Sequence, residues 1–409
     1  MNRLARLLDD RTLRRVYDVG TIRLAARKKL PRMIFDYIDG GADAEQTVRA
    51  NEEAFGRWAL APRVLIDVRS RNQQIDLFDR RLASPVLVAP TGLSGAVWPR
   101  GELEVARACA EFGTTMIVSA AATQSLEKMA AVSGGNNLWF QQFVYRDRSF
   151  TRRLVDRAQR AGYKGLVITV DVPTSGRRLR DQRNGFTIPP QIRPSTALDL
   201  LLHVQWWTSM LGAIDLTFEN FVDTEPGRAR GAVAVGAIMN SLSDPGVVWD
   251  HIASIREQWE GPLLIKGITR PDDARCAIDH GVDGVIVSNH GGRQLDAAVP
   301  SLVALPAVAE AVAGRVPVLF DGAIRSGTDV LIALALGANA VCTGRAHLWG
   351  LAIGGSRGVV QVLQMLYDEI DRALMLIGEP EITQVDRRLL TTRWRYQPKT
   401  NYDPPSCKH

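Results

Sequence analysis

The stretch Gly284-Val285-Ile286-Val287-Ser288-Asn289-His290-Gly291-Gly292-Arg293-Gln294-Leu295-Asp296 decides how this chain is read. It opens as a short apolar, β-branched run bounded by glycine, the pattern of a buried strand. It ends in Ser, Asn and His, then two glycines, then Arg. A histidine at a strand's carboxyl end can act as a base near neutral pH. An arginine three residues on can fork onto a carboxylate. Gly291 and Gly292 would let backbone approach a bound ligand closely. The same residues also suit a plain strand-end turn. What favours a site is that seven other strand ends in the chain look similar.

Those strands set in from residue 85. Val86-Leu87-Val88-Ala89 leads into Pro90-Thr91-Gly92, and Thr115-Met116-Ile117-Val118 into Ser119. Leu138-Trp139-Phe140 ends in Gln141, and the run at 165–170, which contains Thr169, ends in Asp171. Leu263-Leu264-Ile265 ends in Lys266 and the opening stretch in His290. Val316-Pro317-Val318-Leu319-Phe320 ends in Asp321-Gly322, and Ala340-Val341-Cys342-Thr343 in Gly344-Arg345. Helical periodicity falls between them at about 102–112, 125–132, 149–161, 271–280 and 327–336. Strands alternating with helices imply parallel pairing. Eight of them, with polar residues at one end, predict a (β/α)8 TIM barrel. An open doubly wound sheet usually carries a Gly-rich turn after its first strand, and here that turn is Pro90-Thr91-Gly92. The predicted organisation is an N-terminal helical segment capping the barrel (1–84), the barrel (85–376) with a long insertion after strand four (about 184–261), and a C-terminal tail (377–409).

Bulk composition agrees. A 409-residue chain suits an α/β barrel with insertions, and 46% hydrophobic with 23% charged residues suits a soluble protein with a large core. The net charge of +6 is spread along the chain with no long basic block, so nucleic acid is not indicated. Anionic ligands or an anionic membrane surface suit that charge better. Cys109, Cys276, Cys342 and Cys407 show no CxxC pairing, as expected for reduced thiols in the cytoplasm. Residues 1–15 are charged throughout and read as no signal peptide, and no run reaches the length needed to span a bilayer. Residues 1–30 read as one or two basic helices. The run 33–38 leads into Asp39-Gly40-Gly41, a helix end and a new start, with Tyr37 beside it as either core or ligand contact.

The insertion is unusual. Residues 197–211 are apolar and include the pair Trp206-Trp207, in what should be a surface excursion. Adjacent tryptophans suit a membrane interface, which would place about 197–215 on the inner face of the cytoplasmic membrane. A helix packed on the barrel or on a neighbouring subunit is the other reading.

The strand ends together offer a phosphate cradle and a reaction pocket. Backbone N–H groups after strands seven and eight form the usual phosphate site of such barrels, and Arg325 and Arg345 stand there. Lys266 reads as a positive charge inside the barrel mouth, which needs an anion beside it. Asp171 is placed to hold the His290 imidazole and stabilise its protonated form. Arg178 and Arg293 would bracket a carboxylate.

With Ser288 to Asp296 as its hallmark, the chain resembles the FMN-dependent α-hydroxy acid oxidases and dehydrogenases from about residue 29 to 376. Within that family it looks closest to the membrane-associated (S)-mandelate and L-lactate dehydrogenases, on Pro90-Thr91-Gly92, Trp98-Pro99 and the tryptophan-rich insertion. The resemblance implies that His290 is the catalytic base, with Asp171 as its partner and electrons leaving as a carbanion or a hydride. It implies that Arg293, Arg178 and Tyr37 hold the substrate carboxylate and that Lys266 stabilises the reduced flavin. Pro90, Thr91, Gly92, Ser119, Gln141, Thr169 and Ser288 would line the ring and ribityl chain of FMN. Asp321, Gly322, Ala323, Arg325, Gly344 and Arg345 would hold the ribityl end and phosphate. The family also implies a homotetramer.

Two positions depart from the family pattern. Phe143 stands where most members have a tyrosine that bonds the substrate, a loss worth about 1.5–3 kcal/mol. Ala121 stands where glycolate-oxidising members have a tryptophan, which opens space for a large side chain. The expected activity is therefore FMN-dependent oxidation of an (S)-2-hydroxy acid, mandelate-like, with electrons passing to a membrane quinone or to oxygen. L-Lactate dehydrogenation and a tailoring oxidation of a specialised metabolite are the enzyme alternatives. A flavin-binding interaction protein without turnover is disfavoured by the complete set of His290, Asp171, Arg178, Lys266 and Arg293.

Overall fold

Each β-branched run singled out above forms a strand, and each strand is buried along its length apart from Gly267. That is the pattern of strands covered on both faces. The computed structural model describes residues 9–134, 137–186, 193–210, 217–222 and 243–392. The strands are β1 (Val86–Val88), β2 (Met116–Ser119), β3 (Leu138–Gln142), β4 (Gly165–Thr169), β5 (Leu263–Ile268), β6 (Gly284–Val287), β7 (Val318–Asp321) and β8 (Ala340–Thr343). They pair in parallel in chain order, and β8 returns to β1 to close the barrel. The register sets Ser119 opposite Gln141 and Thr169 opposite Lys266, so polar side chains gather at the carboxyl mouth. This is the predicted (β/α)8 barrel.

Helix bounds fall within a residue or two of the predicted ones, as in Gly101–Phe112, Leu126–Ser133, Arg148–Arg160 and Pro271–Asp279. The starts are set by caps: Asp147 accepts from the Ser149 and Phe150 N–H groups at the head of Arg148–Arg160. The sixth strand stops at Val287, three residues short of His290. Asn289 ends it, because its side chain exchanges two hydrogen bonds with Asn51 and accepts from the Gly292 N–H. His290 then opens a tight turn at φ +58.

Parts of the N-terminal segment contact the barrel at both ends. Helices α2 (Arg32–Asp39) and α3 (Gln46–Phe55) reach the carboxyl mouth, and α1 (Val19–Lys29) meets α2 through Arg23 and Asp39. A hairpin of Ile75–Leu77 and Arg80–Leu82 serves the other mouth. There the Phe78 ring lies 5.6 Å from that of Trp139, and an added Cβ on Gly284 would meet it at 3.4 Å. The strand Trp58–Leu60 pairs antiparallel with Leu390–Thr392, so the described part of the tail is tied back to the N-terminal segment. The paired glycines serve backbone packing. The Gly292 carbonyl accepts from the Ala42 N–H at 2.8 Å, and an added Cβ on Gly292 would meet the Val48 nitrogen at 2.8 Å.

α4 (Leu179–Asn184) leads into the insertion, which forms α5 (Pro194–Leu202) and α6 (Val204–Met210). Trp206 turns inward: it packs on the core and donates from Nε1 to the Ala96 carbonyl at 3.1 Å. The exposed apolar residues are instead Leu198, Leu201, Leu202 and Val204, with Leu202 72% exposed. Residues 211–215 of the expected membrane segment lie outside the described residues, as do Cys407 and the tail beyond 392.

One local distortion matters for the mouth. The β5–β6 register slips between Lys266 and Ile268, and Gly267 there takes φ +112. A Cβ on it would lie 2.7 Å from the Asp171 Cβ. Gly267→Ala combines an unfavourable φ with a clash and is expected to cost about 2 kcal/mol or more. Gly162→Ala shares a positive φ but has open space around it, so it should cost about 1 kcal/mol. Urea unfolding midpoints of the two variants check this. Equal losses would overturn the steric part of the argument.

Candidate active site

All eight strands send residues to one cavity at the carboxyl mouth. β1 and β2 contribute Pro90, Thr91, Gly92, Ser119 and Ala121 to its wall, and β3 to β5 contribute Gln141, Phe143, Thr169 and Lys266. The loops after β6, β7 and β8 bring His290, Arg293, Asp321, Gly322, Ala323, Arg325, Gly344 and Arg345. Tyr37 arrives from α2 and Arg178 from the segment before α4. Asp171 and Ser288 lie beside His290 and Lys266, and Ser288 is fully buried.

His290 and Asp171 form a close pair, Nδ1 to Oδ1 at 3.0 Å. Because the carboxylate can only accept, the Nδ1 proton is fixed and Nε2 is left with a lone pair. Burial alone would raise the Asp171 carboxyl, but His290 and Lys266 hold it below the usual carboxylate range. Lys266, 4% exposed, donates to Ser288 Oγ at 2.8 Å and pairs with Asp321 Oδ2 at 2.9 Å. Burial pulls its ammonium down, and the anions of Asp321 and Asp171 overcome that and raise it. The lysine stays charged in a dry setting. Ser288 Oγ also accepts from the His290 N–H at 3.0 Å and so joins the lysine to the histidine turn.

Four guanidinium groups line the cavity. Arg178 and Arg293 lie 5.4 and 5.2 Å from the Tyr37 ring centre. Arg293 donates to the Tyr37 and Gly40 carbonyls at 2.7 and 2.9 Å. Burial, and then the charge of Arg178, pushes Arg293 below the usual arginine range. Arg345 donates to the carbonyls of Asp39, Gly40 and Gly291 and is pushed down to about 9 by burial and by Arg293 and Arg325. Arg325 packs 4.8 Å from the Trp349 ring and meets Glu52 at 3.3 Å. Uncompensated positive charge of this kind is a standing invitation to anions.

Helix ends sharpen the point. At the head of α7 (Gly327–Ala335), Ser326 Oγ accepts from the Asp329 N–H, Asp329 accepts from the Ser326 N–H, and Glu369 accepts from the Gly327 N–H. α8 (Arg345–Gly354) begins after Gly344 with no side-chain cap, leaving its N–H groups for a ligand. On the cavity wall Gln141 Nε2, Thr169 Oγ1 and Asp321 Oδ1 are buried without a partner. Such groups are seldom left unpaired. A bound molecule with matching polar groups would complete them.

Some lining residues escape a sequence reading. Phe186 and Phe218 come from the insertion, where strand and helix periodicity is lost, and Asp181 beside Arg178 is raised by burial. Asp39 is met by Arg23 at 2.6 and 2.8 Å and by Arg180 at 3.1 Å, a cluster scattered over 157 residues of sequence that no local motif signals.

A family model described as FMN-dependent dehydrogenase matches residues 26–392. The chain is 39% identical to the (S)-mandelate dehydrogenase of Pseudomonas putida over 370 residues, 90% of this chain and 92% of that one. It is 41% identical to the L-lactate dehydrogenase of Alcaligenes faecalis over 369 residues, 90% of this chain and 97% of that one. A crystal structure of the monotopic membrane protein (S)-mandelate dehydrogenase superposes with a TM-score of 0.88 at 38% identity, covering 92% of this chain and all of the other. The chain therefore belongs to the FMN-dependent dehydrogenases, flavoprotein oxidoreductases whose cofactor is FMN.

Proposed function

We propose that this enzyme oxidises an (S)-2-hydroxy acid with an aromatic or bulky apolar side chain, mandelate-like, to the 2-oxo acid. The observation that carries the reading is the make-up of the cavity. Two guanidinium groups packed on Tyr37, a His–Asp pair and an apolar surface of Ala121, Phe143, Phe186 and Phe218 share one space. A carboxylate suits the first, a hydroxyl the second and a phenyl ring the third.

The orphaned polar atoms fit FMN. Gln141 and Thr169 can donate to it and Asp321 can accept, while Arg325, Arg345 and the open start of α8 suit its phosphate. FMN held there would supply the acceptor for the two electrons that the substrate carbon loses. Arg178 and Arg293 hold the substrate carboxylate, and Tyr37 stacks against both. His290 Nε2 takes one of the two protons the substrate gives up, from its hydroxyl or its α-carbon, the other going with the electron pair, and Asp171, kept anionic, stabilises the imidazolium that results. Lys266 supplies fixed positive charge to the negative charge that two-electron uptake brings into the cavity. Ser288 Oγ accepts from Lys266 and holds it in place. Phe143 offers the substrate no hydrogen bond, which favours an apolar side chain over lactate.

For the electron acceptor we favour a membrane quinone. Among the described residues no helix is long and apolar enough to cross a membrane. The insertion nevertheless exposes Leu198, Leu201, Leu202 and Val204 together, a face suited to lying on a bilayer from the cytoplasmic side.

Three outcomes test this reading. In anaerobic stopped-flow, (S)-mandelate should bleach the flavin faster than L-lactate or glycolate at matched subsaturating concentrations; the reverse order would sink the substrate proposal. His290→Gln should keep FMN and slow flavin reduction roughly 10²- to 10⁴-fold, whereas an unchanged rate would remove His290 as the base. Glutamate at Leu198, Leu201 and Leu202 should abolish sedimentation with anionic liposomes while leaving mandelate-driven reduction of a soluble dye intact. Undiminished sedimentation would exclude this face.

A further inference from the structure

His347 is a fully buried histidine with no place in the chemistry above. It sits in the first turn of α8, and its ring reaches across the β8–β1 seam. Nδ1 lies 2.9 Å from the Thr343 carbonyl, and Nε2 lies 3.2 Å from Thr91 Oγ1. Burial drives its pKa down to about 4, so the ring is neutral across the physiological range.

The protons on this small network can be counted. A carbonyl oxygen only accepts, so the single proton of the neutral ring is on Nδ1. Nε2 is then a lone pair, and only the Thr91 hydroxyl proton can complete that contact. The other available acceptor, Ser94 Oγ, is more distant at 3.5 Å. With its one proton committed away from the cavity, Thr91 has only lone pairs left to present to it, and Thr91 lies on the cavity wall.

We propose that His347 is a positioning residue that fixes the Thr91 hydroxyl as a hydrogen-bond acceptor towards the flavin cavity, so that the bound group it meets there must carry an N–H or O–H. The inference rests on reading the cavity as the FMN site, and it adds a selection rule to that wall. A ring N–H is accepted at Thr91. A carbonyl oxygen is not.

Two measurements test it. In protein labelled with ¹⁵N-histidine, the His347 ring, assigned by its absence from His347→Leu, should show protonated Nδ1 and bare Nε2, unchanged from pH 5 to 8. A protonated Nε2, or titration within that range, would overturn the proposal. The second is FMN affinity in a double-mutant cycle. His347→Leu should weaken FMN binding about 3- to 10-fold, the effect of one neutral hydrogen bond. The same change made on top of Thr91→Val should alter it less than about twofold. Equal losses in both backgrounds would show a packing role and refute the proposal. A wild-type protein that binds no FMN would refute the flavin site instead, and the nitrogen spectrum would still decide the hydrogen bond.

Discussion

A single carbonyl, that of Gly40, holds the mouth of this barrel together. It accepts from Arg293 at 2.9 Å and from Arg345 at 2.8 Å, at the carboxyl end of α2 where helix carbonyls lack partners of their own. Arg293 faces the proposed carboxylate end of the cavity and Arg345 the proposed phosphate end, so one peptide group spaces the two. Carbonyl dipoles orient a guanidinium without neutralising it. The depressed Arg293 and Arg345 report the repulsion that remains. Two anions, a substrate carboxylate and a cofactor phosphate, are the simplest remedy for that charge.

Deeper in the mouth the charges alternate. His290 faces Asp171, Asp171 feels Lys266, and Lys266 bonds Asp321 and Ser288. Each member is tolerable in a dry site only because the next has the opposite sign. Asp171 fits there because Gly267 lacks a Cβ and β5 slips its register. A backbone irregularity thus belongs to the same arrangement as the charge network.

The barrel was legible because its signal is local and repeated: eight apolar runs, each ending in polar or glycine residues, with helical periods between. The strand-end residues were legible for the same reason. The two glycine pairs were identified, but Gly292 is small for the sake of the Val48 backbone. Trp206 looked interfacial, yet its N–H finds the Ala96 carbonyl, 110 residues away in sequence. The pairing of Trp58–Leu60 with Leu390–Thr392 and the seating of Phe78 are likewise long-range contacts without local signatures. What the periodic pattern could not supply was the filling of the gaps between elements.

The insertion, with α4 leading into it, is the largest of those gaps, and their contacts explain why they belong with the site. Asn184 bonds the Asp36 carboxylate, Arg180 bonds those of Asp39 and Glu45, and Asp199 accepts from the Arg32 N–H at 2.7 Å. Three of those four partners lie on α2. The same helix carries Tyr37 and ends at the Gly40 carbonyl that spaces the two buried arginines. Phe186 and Phe218, also from the insertion, reach the cavity wall, while Leu198, Leu201 and Leu202 face outward from α5. An excursion that were merely tolerated would be expected to hang free of the barrel mouth. This one is bolted to the helix that sets the arginines, so the apolar wall, the arginines proposed to bind anions and the exposed leucine face form one unit built on α2.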